Sequence, residues 1–220
     1  MEERPVGAVE VLEVGVDGAA GLTQDLVAVI GGVCDRAEDR RGAVVVLRVK
    51  GTVLPVLPPD TAVLTKWEGV VRRLERLPAA SVAAMSGLCA GVALDLAMAA
   101  DYRVAAAEVE LTLLTASGEI WPGMALYRMG RLSQRGVVRR AALFGSPVGA
   151  VDALASGLVD ELSPEPTADA ARLVERLAGG WGPDLAIRRD LLRGCTTEFE
   201  GALGGHLAAC DRVLRRAGSV

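Results

Sequence analysis

Asp95 is the single charged side chain in the run from Ser81 to Ala100, SVAAMSGLCAGVALDLAMAA. An ionised carboxylate among apolar neighbours costs several kcal/mol unless hydrogen-bonding partners or proton chemistry hold it there. Ser86-Gly87 and Gly91 precede it, and Val92 opens an apolar helical pattern. A strand, a glycine turn and a helix in that order leave the first helix amides without intrahelical partners, facing a ligand. Such amides stabilise negative charge developing on a carbonyl oxygen, and a carboxylate three residues later adds proton transfer. The same acid also reads as a structural residue in a hydrogen-bonded network.

The elements that must position these groups follow from periodicity. A strand is predicted over 6–16, a helix over 22–39 with Thr23 as its N-cap, and a buried strand over 43–49. Residues 51–60, GTVLPVLPPD, hold Pro55, Pro58 and Pro59 and predict a loop, followed by a helix over 61–77 that Pro78 stops. Next come a strand at 81–85, a helix at 90–99, and a close strand pair at 102–106 and 109–113. After the turn Trp121-Pro122-Gly123 the chain reads as largely helical, with one extended piece at 158–162 and late helices at 167–178, 184–193 and 198–216. Alternating strands and helices indicate an α/β protein. The β-β-α rhythm fits a spiral of turns.

The formal net charge of -4 argues against an electrostatic nucleic-acid binder, since only two lysines, Lys50 and Lys66, occur and the Arg-Arg pairs are dispersed. No metal is expected: Cys34, Cys89, Cys195 and Cys210 lack ligand spacing and read as reduced thiols. The terminus MEERPVGAVEV has no signal-peptide pattern, and no apolar run reaches membrane-spanning length, so a cytoplasmic protein is expected. The only histidine, His206, makes a hydrolase triad with Ser86 and Asp95 conceivable, although G-x-S-x-G is absent.

Taken together, SVAAMSGLCAGVALDLAMAADYRVAA, WPG at Trp121 to Gly123 and SPVGAVDALASGLVDELSP at Ser146 to Pro164 resemble the crotonase superfamily of enoyl-CoA hydratases and isomerases. The resemblance implies a crotonase-like spiral of β-β-α units, with a core over 1–165 and a helical region over 166–220 acting as lid or oligomer contact. It implies an acyl-CoA thioester as substrate and an enolate held by two backbone amides. CoA is then part of the substrate, with no separate cofactor.

On this alignment Val92 supplies one amide, where most members have glycine. The first catalytic acid falls on Asp95, a shorter carboxylate than the family's glutamate. The second falls on Thr115, which cannot serve as a carboxylate base; it reads either as a water-positioning hydroxyl or as a strand-end threonine. Glu119, four residues on, is a candidate replacement. The other oxyanion amide falls in the proline-rich loop, with Leu57 as the candidate. Gly91, Trp121 and Gly123 are candidate substrate-binding positions, while Trp67 and Trp181 read as packing residues.

Short length, arginine-rich composition and the missing second acid also resemble the small crotonase-like member of actinobacterial dihydroxyphenylglycine biosynthesis, which implies dehydration of a polyketide-like CoA thioester. An accessory subunit that stimulates a partner, such as a type III polyketide synthase or a second crotonase-like enzyme, is the alternative. The resemblance further implies a homotrimer or hexamer, and truncation after Pro164 is expected to disrupt it.

Overall fold

Four strands in sequence order lie side by side, each joined to the next by a helix. In the computed structural model, which describes residues 10–40, 42–51, 60–116, 119–121, 123–133, 136–176 and 184–193, these are β1 (Val11–Asp17), β2 (Val44–Gly51), β3 (Ala80–Cys89) and β4 (Tyr102–Ala105). The connecting helices are α1 (Gln24–Asp39), α2 (Thr61–Leu74) and α3 (Val92–Ala99). All neighbours run parallel: Val11 pairs with Val44, Val44 with Ala80, and Val82 with Tyr102. Parallel strands need crossovers, and the apolar stripes of these helices cover one face of the sheet.

The remaining elements are β5 (Glu110–Leu111), β6 (Thr115–Ala116), β7 (Glu119–Ile120), α4 (Met124–Leu132), α5 (Gly136–Phe144), β8 (Val148–Gly149), α6 (Ala150–Ser156), β9 (Glu161–Leu162), α7 (Pro166–Arg176) and α8 (Leu185–Arg193). The second face of the sheet is covered by α7 and α8: Ala170, Leu173, Val174 and Leu185 pack on Val44, Val46, Ala80, Val82, Ala84 and Val104. Burial on both faces explains why β2 and β3 read as nearly unbroken apolar runs.

Several helix starts follow their local chemistry. Thr23 accepts a hydrogen bond from the Leu26 amide at the start of α1, and Asp60 accepts one from Val63 at the start of α2. Three expectations need correction. The helix expected to reach residue 77 ends at Leu74 and closes in turns. The strand expected to stop at Met85 continues to Cys89, because Gly87 bends it without ending it. There φ is 65°, and a Cβ would lie 3.2 Å from the Gly51 carbonyl oxygen across the ladder. The segments 102–106 and 109–113 do not pair with each other. Both run parallel to β3, with β4 on its first half and β5 on Leu88 and Cys89 beyond the bend.

The β6–β7 hairpin and β8, which pairs antiparallel with β5, were not anticipated. Two-residue strands carry no readable periodicity. The expected helix at 198–216, Cys195, Cys210, His206 and Trp181 lie outside the described residues. Among the described residues no helix is long and apolar enough to cross a membrane, and no group of three or more His, Cys, Asp or Glu is placed to hold a metal ion.

Candidate functional site

The turn from β3 into α3 is made by Ala90 and Gly91. Gly91 has φ 53°, and a Cβ there would meet the Leu114 side chain at 3.1 Å. The backbone therefore swings sharply at a position only glycine fills without strain. Helical bonding follows at once: the Ala93 amide donates to Ala90 at 3.2 Å and the Asp95 amide to Gly91 at 2.9 Å. The Val92 amide makes no hydrogen bond to another described residue. Val92 lines the cleft beside the helix start, yet its side chain belongs to the core and is only 6% exposed. Its amide is a donor at a helix N-terminus, where negative charge is favoured.

This cleft runs between the first turn of α3, the middle of α2, the turn at Gly18 to Leu22 and the start of α4. Asp95, Gly91, Trp121 and Gly123 line it together with Val92. Thr115 does not: it is exposed, on a strand where it pairs with Ile120. Glu119 is placed by its backbone opposite Ala116, and its side chain lies outside the described part. Leu57 lies outside the described residues altogether. Ser86 does not line the cleft.

Asp95 is held from two other helices. The Trp67 indole on α2 donates to Oδ2 at 2.9 Å, and Arg128 on α4 approaches Oδ1 at 3.4 Å. Burial pushes the Asp95 carboxyl up to about 6. The hydrogen bond from Trp67 works against that rise, the charge of Glu68 reinforces it, and Arg128 and Ala125 oppose it. An acid titrating near neutral pH suits proton transfer in either direction.

Arg128 ties the acids together. Its Nη2 lies 2.8 Å from Glu68 Oε2 and its Nε 2.7 Å from Glu75 Oε1, and its side chain is only 5% exposed. Trp67, expected as packing, both packs and bonds Asp95. Glu68, which lines the cleft, and Arg128 were missed by sequence reasoning. The available signal was the spacing of Glu68 and Glu75, seven residues apart and so on one face of the α2 segment. Cys89 lies under the site, where burial pushes its thiol up to about 12, so it is no nucleophile at neutral pH.

A family model for enoyl-CoA hydratase/isomerase matches residues 59–180, a span that includes the whole cleft wall from α2 to α4. An enoyl-CoA hydratase of Amycolatopsis orientalis is 44% identical over 205 residues, covering 91% of this chain and 94% of that one. Among solved structures, an enoyl-CoA hydratase from Bacillus anthracis superposes with a TM-score of 0.79 at 18% identity, covering 95% of this chain and 89% of its own. An enoyl-CoA hydratase/isomerase family protein from Silicibacter pomeroyi gives 0.77 at 21% identity, over 93% and 95%. At those identities the structures speak for the fold, which is the crotonase spiral expected from the sequence.

Proposed function

Because the chain belongs to the enoyl-CoA hydratase/isomerase family, we propose that it acts on an acyl-CoA thioester as a hydratase or dehydratase, with the thioester carbonyl seated at the start of α3. The carrying observation is that Val92, whose amide has no partner among the described residues, and Asp95 line one cleft. The amide donates to the thioester oxygen and stabilises the enolate formed when a proton leaves Cα; one such donor lowers the barrier by about 2.7–4 kcal/mol. Leu57 is the proposed source of the second amide. Asp95 moves the proton or holds the water, and Gly91, Trp121 and Gly123 shape the acyl site. Thr115 and Glu119 are proposed only as groups that position water near the hairpin.

The proposed reaction is dehydration of a polyketide-like CoA thioester on the way to an aromatic product such as dihydroxyphenylacetyl-CoA. CoA enters with the substrate, and no metal or further cofactor takes part. The proposed working form is a cytoplasmic homo-oligomer, trimer or hexamer.

A panel of 3-hydroxyacyl-CoA and enoyl-CoA thioesters, assayed alongside calorimetric CoA binding, tests this reading. Asp95→Asn should bind CoA as the parent does and lose about 10²–10⁴-fold in kcat. A folded parent chain that binds no CoA and turns over nothing would overturn it.

One observation favours a second reading. Asp95 is engaged by Trp67 and Arg128, and the exposed Thr115 offers no carboxylate. A crotonase-fold subunit that stimulates a partner such as a type III polyketide synthase has this character. In that case Asp95→Asn should stimulate the partner as well as the parent chain does, with no turnover by either alone.

A further inference from the structure

Dehydration of a 3-hydroxyacyl thioester moves two protons, one off Cα and one onto the departing hydroxyl. Asp95 is one acid of the cleft. We propose, building on the reading of the cleft given above, that Glu68 on α2 is the second, so that Asp95 and Glu68 form the carboxylate pair of this site. Three observations carry it. Glu68 lines the same cleft and keeps 23% of its side chain accessible, against 13% for Asp95. The two carboxylates meet the two terminal nitrogens of one guanidinium, Glu68 at Nη2 and Asp95 at Nη1 of Arg128, which holds them as neighbours. The preceding residue, Trp67, bonds Asp95 directly, so one turn of α2 fixes both members of the pair.

Arg128 meets three carboxylates, Asp95, Glu68 and Glu75, and Asp95, whose carboxyl burial pushes up to about 6, is the one that carries a proton. With one proton between them the step balances. The ionised member takes the Cα proton, and the C–H electron pair becomes the enolate, whose oxygen is held by the Val92 amide. The enolate collapses to the Cα=Cβ bond as the Cβ–O bond breaks. The protonated member gives its proton to that oxygen, which leaves as water. The pair ends with one proton, as it began, and proton exchange with solvent resets the roles.

Glu75 provides the control, because it binds the same arginine through Nε and does not line the cleft. Steady-state elimination from the fastest 3-hydroxyacyl-CoA of the panel should show kcat lower by at least about a hundredfold in Glu68→Gln, with KM within about threefold, and kcat within about threefold of the parent in Glu75→Gln. Glu68→Asp keeps the charge on Arg128 but draws the carboxylate back by one methylene. It should fold as the parent does and fall between the two, at least about tenfold below the parent. If Glu68→Gln does not fold, Glu68→Asp decides: full activity there overturns the pairing. Full activity in Glu68→Gln, or equal losses in Glu68→Gln and Glu75→Gln, also overturns it while leaving the reading of the cleft intact. A parent chain without turnover overturns both together.

Discussion

Asp95 binds its proton more tightly in the folded chain than an unfolded chain would, since burial lifts its carboxyl from 3.8 to about 6. Between those values the folded state carries more protons than the unfolded state, so this group's contribution to stability declines as pH rises through the window and stays level above it. The ionised acid then lowers stability by an amount on the order of 2–3 kcal/mol above pH about 6 relative to pH about 4. Urea unfolding of the parent and Asp95→Asn over this range should show the difference between them shifting in favour of the variant as pH rises, then levelling off. A difference independent of pH would mean that Asp95 ionises alike in both states. Asp95→Asn is therefore not neutral towards stability, in line with the cost of an ionised carboxylate among apolar neighbours. The acid itself was legible because it is the one charge in an apolar run. Its partners were not: Trp67 and Arg128 lie 28 and 33 residues away in the chain, on other helices.

Among the elements, α8 is tied to the sheet by the packing of Leu185 and by a buried arginine. Arg189, 6% exposed, bonds both oxygens of Asp101 and the carbonyls of Leu77 and Ala79. Asp101 in turn accepts from the amide and hydroxyl of Ser81, which ties the start of β3 to the approach to β4. The planar fork of arginine fits this set of acceptors, and an ammonium group does not. Arg189→Met should lower the unfolding free energy of the full chain by about 3 kcal/mol, since carbonyls and a carboxylate lose their buried donor. Arg189→Lys should recover less than half of that by the same urea titration. A loss below about 1 kcal/mol in Arg189→Met would show the contact to be solvent-screened. The arginine that Asp101 meets lies 88 residues on, beyond the reach of any local pattern. The long strands and helices were legible for the opposite reason: their periodicity is local. The misjudged pieces, the continuation of β3 past Gly87 and the paired segments along it, depend on a bend that local pattern does not encode.

At the scale of the whole molecule, α7 and α8 change what truncation means. Removing the chain after Pro164 takes away Ala170, Leu173, Val174 and Leu185 and uncovers one face of the central sheet, so the product should misfold whatever the assembly does. The proposed homo-oligomer needs a gentler test, and the surface offers one. Leu143 and Phe144 at the end of α5 are 65% and 78% exposed, and Val151 on α6 is 76% exposed. Apolar side chains of that size, placed within a few residues of each other, are more often covered by another protein surface than left in water. The sequence showed these residues but not their exposure, because α5 and α6 carry apolar positions on the core side as well. Sedimentation of the double variant Phe144→Arg with Val151→Arg should therefore shift towards monomer, with a melting temperature within about 5 °C of the parent when both are compared as monomers. Unchanged sedimentation would place the contact between copies elsewhere on the chain. A monomeric parent would remove the oligomer from the proposal and leave the reading of the cleft to be tested on the single chain.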